Sequence, residues 1–224
     1  MSLGTLEEET FFHCCHLFLQ KSEQLGDGWS WESVQGSQEG YLRKAALKSA
    51  VINSNPLWDQ ERSKSNSKAW SDLQEQEQSV LIDEDDGDCM VPAGNSQVLQ
   101  YEYHILYSCS YNTPVLYFRV STLDGRSLLL EEVWSSVHPN LKVKLHNSPL
   151  NTITQQEHPL LGQPFFMLHP CRTQEFMRPV LQAAQEQCRP VNYVLMWLSV
   201  VGPLVGLDIP LKYSTQLHTA TEPD

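Results

Sequence analysis

The stretch from Val98 to Val120 constrains the fold most, because its pattern predicts two strands joined by a short turn. In its first half, apolar and polar residues alternate, as in a strand with one buried and one solvated face. Residues 115–120 form an apolar partner strand, and the polar turn at 109–113 allows antiparallel pairing. The apolar positions are Tyr101, Tyr103, Ile105 and Tyr107, and the polar ones are Gln100, Glu102 and His104.

Helical patterns lie on both sides of this hairpin. Residues 6–25 carry apolar side chains at helical spacing and are followed by a glycine-rich stop. Residues 29–47 predict a further hairpin, whose first strand contains two alternating tryptophans. Thr173 and Pro190 open two helical stretches near the end of the chain. The predicted fold class is therefore α+β, with an antiparallel sheet flanked by helices.

Three segments are less regular. Ser127 is predicted to cap a short helix that Pro139 ends. Residues 151–166 contain two X-Pro pairs and a glycine, so we expect an extended, irregular segment held by apolar side chains. Thr173 is expected to cap its helix, and Pro179 either kinks that helix or belongs to the first turn of a later one. The apolar side chains of the irregular segment are Leu160, Phe165 and Phe166.

Length and composition predict one domain that spans residues 1–224, since 41% of the residues are hydrophobic. Residues 50–97 are rich in acids, Ser, Asn and Gln, which favours a long mobile loop. Residues 212–224 are expected to form a flexible tail. The formal net charge of −12 argues against a nucleic-acid partner, which would require a basic face.

The six cysteines show no spacing typical of a disulfide framework, and the acidic start is unlike a secretory signal. The apolar stretch at 191–207 is too short and too interrupted to span a bilayer. These features predict a cytoplasmic protein without membrane insertion. The cluster at 13–16, His-Cys-Cys-His, has no second ligand pair at a plausible distance, so we expect no metal site. With no glycine-rich phosphate loop, we also expect no cofactor.

Cys171 is the one cysteine with a suggestive local setting. It follows His169 and Pro170, and it precedes Arg172 and a predicted helix start, both of which favour a thiolate. A loop cysteine packed under the helix explains the same residues equally well. If Cys171 is reactive, a hydrolase would need a histidine base beside the sulfur. An acyl carrier would instead need an exposed thiol, an oxyanion donor and access for an incoming lysine.

The segment TITQQEHPLLGQPFFMLHPCRTQEFM, residues 152–177, resembles the active-site segment of the autophagy conjugating enzymes. Further stretches share the resemblance, which covers nearly the whole chain except residues 50–96 and the last dozen. They are GDGWSW, YEYHILYSCSY, PVLYFR, LDGR and NYVLMWLSVVGPLVGL.

This resemblance implies a ubiquitin-conjugating-enzyme-like core with extra strands and a long acidic insertion. It also implies that Cys171 is the nucleophile and carries a ubiquitin-like modifier, autophagy-related protein twelve, as a thioester. The implied donor is an activating enzyme, autophagy-related protein seven. The implied acceptor is a lysine of autophagy-related protein five, with no separate ligase, in support of autophagosome formation.

One departure concerns the His-Pro-Asn motif that general ubiquitin-conjugating enzymes carry shortly before their cysteine. Here His158-Pro159 is followed by Leu160, so the usual asparagine is missing. The sequence His138-Pro139-Asn140 lies 31 residues upstream of Cys171 and is interpreted as a helix stop. We hypothesise that one of three upstream polar residues replaces the missing asparagine: Asn151, Thr152 or Thr154.

Two roles remain open at this point. His169 and Pro170 are expected to stabilise the loop, which is favoured over proton transfer by His169. Glu102 and His104 are predicted to lie on a polar strand face that adds edge to edge to the acceptor. Besides a conjugating enzyme, the same fold allows a non-catalytic adaptor, for which replacement of Cys171 would be silent, or a thiol hydrolase.

Overall fold

The computed structural model describes residues 5–34, 39–51, 96–136, 153–187 and 191–215. Within these ranges the fold is α+β, as the sequence predicts. The strands are β1 (Ser30–Ser33), β2 (Gly40–Val51), β3 (Ser96–Ser108), β4 (Thr113–Thr122), β5 (Ile153–Glu157) and β6 (Pro164–Leu168). The α-helices are α1 (Glu8–Leu25), α2 (Leu130–Ser136), α3 (Thr173–Glu186), α4 (Tyr193–Val201) and α5 (Lys212–Thr215).

The six strands form one antiparallel sheet in the order β1-β2-β3-β4-β6-β5. Both predicted hairpins are confirmed, since β1 pairs with β2 and β3 pairs with β4. β3 lies in the interior of the sheet, with β2 on one side and β4 on the other. The predicted loop at 50–97 is two residues too long at each end, because Val51 pairs with Ser96 and Ala50 with Gln97. Residues 52–95 lie outside the described ranges.

The main core fills the space between one sheet face and the helices α1 and α4. The aromatic positions of β3 face this core as predicted, and the Tyr103 side chain is fully buried. Its hydroxyl donates a hydrogen bond of 3.0 Å to the backbone oxygen of Val205, which lies just after α4. From α1, Phe11 and Phe18 are buried in the same cluster, which confirms its amphipathic pattern. Asn192 caps α4 by accepting from the N–H of Leu195.

The expectation of an irregular segment at 151–166 is wrong for its described part. β5 and β6 form a regular hairpin, with Ile153 opposite Leu168 and Glu157 opposite Pro164. The prolines are tolerated because Pro159 lies in the connecting turn and Pro164 begins β6. The backbone groups of β5 and β6 pair with each other, and β6 also pairs with β4. The predicted anchoring by apolar side chains is confirmed for Phe165 and Phe166, which are buried.

Helix boundaries also differ from the prediction in detail. Thr173 does not cap α3, because Arg172 holds the cap position without a side-chain cap bond and the Thr173 side chain is buried. Pro179 lies inside a continuous helix. Ser127 forms an isolated bridge with Ser121, and the Glu132 carboxylate accepts from the N–H of Leu129 at the start of α2. Pro139 lies outside the described residues.

The start of the predicted flexible tail is structured. The Tyr213 ring in α5 stacks on Phe18 with centroids 5.0 Å apart. Its hydroxyl donates to the Asp27 carboxylate over 2.8 Å. The prediction of a tail beginning at residue 212 is therefore wrong for α5, and residues 216–224 lie outside the described part. No helix in the described ranges is long and apolar enough to cross a bilayer.

Candidate active site

Cys171 lies in a turn between β6 and α3, with its side chain exposed. The residues on either side are anchored, since Leu168, Pro170 and Thr173 are buried. The N–H of Thr173 donates to the backbone oxygen of Pro170 over 2.9 Å, which closes the turn around the cysteine. A fixed turn that presents an exposed thiol is the geometry that a nucleophile requires.

Exposure separates the described cysteines into two pairs. Cys14 and Cys15 of α1 are buried in the core, and burial raises the pKa of the Cys15 thiol. Cys109, in the turn between β3 and β4, is exposed like Cys171. Exposure alone therefore does not single out Cys171, but Cys171 lies two residues before the start of α3, whereas Cys109 lies in a turn between two strands. The outward side chains of the 13–16 cluster are the two histidines, as expected for an amphipathic helix.

The His169 ring is tied to the backbone of the active-site turn. Its Nδ1 accepts the N–H of Cys171 over 3.1 Å, so the ring hydrogen belongs on Nε2 when the side chain is neutral. Nε2 lies 3.5 Å from the Tyr111 hydroxyl, and the two rings meet edge to face with centroids 5.5 Å apart. Because Nδ1 is occupied by a backbone donor, this arrangement orders the turn and leaves no free lone pair on that nitrogen.

The Arg172 charge is compensated by a neighbour on α3. Its Nε and Nη2 donate to the two Glu175 carboxylate oxygens over 2.7 and 2.5 Å. The Glu175 carboxylate raises the pKa of Arg172, and Arg172 lowers the pKa of Glu175. Arg172 thus lies beside the cysteine as expected, but its guanidinium is paired with Glu175 through two hydrogen bonds, which offsets its positive charge.

The candidates for the missing asparagine are only partly described. Thr154 lies opposite Met167, four residues before Cys171. Its hydroxyl is buried and has no hydrogen-bond partner within the described part of the chain. Asn151, Thr152 and His138-Pro139-Asn140 lie outside the described residues.

The predicted exposed strand face at Glu102 and His104 is wrong. Glu102 is 7% and His104 is 1% exposed. β3 is hydrogen-bonded along both edges, so it offers no free edge to an acceptor strand. The alternation of the strand is correct, but both of its faces are covered, because the turn after β5 places His158 over His104.

Sequence reasoning missed two residues near these groups. Tyr111 contacts His169, although it lies 58 residues away in the chain. His158 is fully buried and contacts His104, which lies 54 residues away. The alternating pattern predicts that His104 lies in a sheet. However, no local sequence pattern predicts that Tyr111 contacts His169 or that His104 contacts His158.

Comparison with known proteins gives consistent matches. Residues 10–212 match the family described as "Autophagocytosis associated protein, active-site domain". A human protein named ubiquitin-like-conjugating enzyme ATG10 is 44% identical over 207 residues, which cover 92% of this chain and 91% of the human one. An Arabidopsis thaliana protein of the same name is 34% identical over 226 residues, covering 95% and 96%.

A solved structure titled "Crystal structure of Autophagic E2, Atg10" aligns with 91% of this chain and 98% of its own, at 14% identity and a TM-score of 0.40. The family match and the two relatives extend over nearly the whole chain, and they include the Cys171 turn. The chain therefore belongs to the autophagocytosis-associated active-site-domain family and is a ubiquitin-like-conjugating enzyme of autophagy.

Proposed function

We propose that the chain carries autophagy-related protein twelve as a thioester on Cys171 and transfers it to a lysine of autophagy-related protein five. Autophagy-related protein seven, the activating enzyme, supplies the modifier. The observation that supports this most is the exposed Cys171 thiol in a turn fixed by buried residues on both sides. No cofactor takes part in either step.

The proposed reaction consists of two acyl transfers. In the first, the Cys171 thiolate attacks the thioester carbonyl on the activating enzyme, and the activating enzyme's thiolate leaves as the new C–S bond forms. In the second, a neutral lysine amine attacks the carbonyl, a C–N bond forms, and the Cys171 thiolate leaves. The proton of the attacking amine passes to solvent. Both steps need an accessible sulfur and a donor for the oxyanion.

Roles for the neighbouring residues follow from the same proposal. His169 holds the turn through its bond to the Cys171 N–H, and Pro170 anchors the turn by burial. Asn151, Thr152 and Thr154 remain our candidates for the group that supports the oxyanion. If single alanine variants of all three discharge the modifier at the wild-type rate after normal charging, that assignment is wrong.

A charging assay tests the proposal. The protein is mixed with its activating enzyme, the modifier and ATP, and the products are separated on a non-reducing gel. We expect a thiol-sensitive band in the wild type and a thiol-resistant oxyester band in Cys171→Ser. Cys109→Ser is the matched control, since it removes the other exposed thiol of the described residues and should charge normally.

The competing outcomes are distinct. A folded protein that gives no band in either form, beside a working activating enzyme, would contradict the proposal and favour a non-catalytic adaptor. A thiol-sensitive band that persists in Cys171→Ser, together with a thiol-resistant band in Cys109→Ser, would move the carrier to Cys109.

A further inference from the structure

The tip of the β5–β6 hairpin folds across the sheet face opposite the main core. Its residue His158 lies over three neighbouring strands and is fully buried. Its ring centroid is 5.3 Å from Tyr41 on β2, 5.0 Å from His104 on β3 and 5.2 Å from Tyr117 on β4. The ring centroid of Phe165, on the hairpin itself, lies 4.9 Å from that of His158.

A chain of hydrogen bonds fixes this histidine in one orientation. Its Nδ1 accepts the N–H groups of Leu160 and Leu161 over 3.3 Å each, so its ring hydrogen is on Nε2. Nε2 then donates to Nδ1 of His104 over 3.0 Å. His104 consequently carries its hydrogen on Nε2 and donates to the Glu102 carboxylate over 3.2 Å. Two neutral imidazoles thus connect the hairpin turn to a buried carboxylate.

Glu102 is held in its ionised form. Arg43 of β2 donates to it over 2.6 Å and Arg119 of β4 over 2.5 Å. The hydrogen bond from His104, followed by those from the two arginines, lowers the pKa of Glu102 against the opposing effect of burial. Burial, together with the neighbouring His104, lowers the pKa of His158 to about 4. The network is therefore fully paired near neutral pH, which is the condition for a buried polar network to be rigid.

The hairpin is attached to the sheet at two separate places. Near the active-site end, β6 pairs with β4 through three residue pairs, from Leu116–Leu168 to Phe118–Phe166. At the other end, the turn is held by His158, which lies opposite Gln163. Gln163 and His169 are six residues apart, or about 20 Å along an extended strand. The His158 network therefore fixes the end of β6 that is remote from Cys171.

We propose that His158 and His104, anchored on Glu102, are positioning residues that hold β6 and thereby the Cys171 turn in the geometry for acyl transfer. The effect on acyl transfer rests on the proposed function, whereas the effect on the position of β6 does not. Loss of the bond from His158 to His104 weakens this end, where the Phe165 packing and the 3.3 Å hydrogen bond from Arg119 to Gln163 remain, and lets β6 tilt slightly on its pairs with β4. A displacement of about 1 Å is enough to slow a reaction that depends on alignment.

Two variants separate the interactions of the two ring nitrogens of His158, because each keeps a polar group near the position of one nitrogen. In His158→Asn, the amide oxygen occupies the Nδ1 position and accepts from the turn, but nothing reaches His104. In His158→Gln, the amide nitrogen occupies the Nε2 position and donates to His104, but the turn loses its acceptor. We expect His158→Asn to slow discharge of the preformed thioester to lysine by about tenfold and His158→Gln to remain within about threefold of wild type.

Hydrogen–deuterium exchange supplies a readout that is independent of conjugation. We expect faster exchange of the β6 and Cys171 amides in His158→Asn than in Tyr103→Phe, which loses a hydrogen bond on the opposite sheet face. Equal exchange in the two variants at matched thermal stability would overturn the proposal. Faster exchange in His158→Asn, combined with no conjugation by the wild-type protein, would instead refute the proposed function. It would still support the positioning of β6 by His158.

A double-mutant cycle tests whether Glu102 and His158 belong to one network. Glu102→Gln keeps an acceptor for His104 but removes the charge that holds the two arginines. If the three groups act as one unit, Glu102→Gln added to His158→Asn should have little further effect on discharge. Independent, additive effects of the two changes would contradict the proposed network.

Discussion

The N–H of Cys171 donates to Nδ1 of His169 over 3.1 Å, so the side chain two residues before the cysteine holds the backbone of the active-site turn. The opposite side of the ring lies near Tyr111, on the turn between β3 and β4. The active-site turn is thus bridged to another part of the sheet through one imidazole. The consequence of the bond to the Cys171 N–H can be measured by replacing that imidazole.

We expect His169→Asn to charge and discharge at near wild-type rates, because its amide oxygen occupies the Nδ1 position and accepts the Cys171 N–H. His169→Ala leaves this donor without its partner and should slow discharge by about tenfold. Single-turnover rates measured from preformed thioester compare the two. A rate for His169→Asn as slow as that of His169→Ala would indicate that the imidazole itself takes part in proton transfer.

Tyr103→Phe tests a structural bond between β3 and the segment after α4. The Val205 backbone oxygen loses its hydroxyl donor, and an unsatisfied buried carbonyl destabilises the fold by about 1–3 kcal/mol. Urea denaturation should show this loss, while charging of Cys171 at low temperature remains unchanged. Unchanged stability would mean that another donor replaces the hydroxyl.

The stability of the fold should fall between about pH 6.5 and pH 4 through His158. Its folded pKa of about 4 lies below the ordinary value of 6.5, so the unfolded chain binds a proton that the folded one excludes. The contribution is fully present above pH 6.5 and is lost as the pH falls towards 4. Between pH 7 and pH 5 the loss is about 2 kcal/mol.

Urea denaturation at pH 7, 6 and 5 measures this dependence. His158→Gln has no titrating ring and should show a correspondingly flatter profile. Glu102 has a lowered pKa, so its contribution is present above its unfolded pKa and declines only as the pH falls below about 4. Identical profiles for wild type and His158→Gln would show that His158 does not titrate in this way.

Truncation tests whether α5 contributes to the stability of the fold. A stop after Pro210 removes Tyr213, with its stacking on Phe18 and its bond to Asp27, and should lower the free energy of unfolding by about 3 kcal/mol or more. A stop after Thr215 keeps all of α5 and is the matched control. Thermal melts of the two proteins should differ by several degrees. Equal melting temperatures would mean that α5 adds nothing to the fold.

The strands and helices that the sequence predicts are those with a clear local period. The alternation around Tyr103 and the helical spacing around Phe18 each reflect burial on one face, and both are confirmed. The exposed Cys171 turn before α3 also agrees with the local pattern. These features depend on residues close in the chain, which is why they can be predicted without coordinates.

The wrong predictions share a different origin. A period of two assigns Glu102 and His104 to one face, but it contains no information about what covers that face. His158, which covers that face, belongs to the β5–β6 hairpin. The prolines of this hairpin led to the prediction of an irregular segment. Tyr213 was likewise assigned to a tail, because four residues are too few to show a helical period.

The sheet order also sets distances for any protein that extends this sheet. Within the described residues, its outer strands are β1 and β5, while Cys171 follows β6. A strand added beside β5 would lie about 10 Å from β6, whereas one added beside β1 would lie about 24 Å away, at about 4.8 Å per strand. The same pairing interaction would therefore bring a lysine much closer to the thioester from the β5 edge than from the β1 edge. From the other edge, the partner would have to bridge the full width of the sheet.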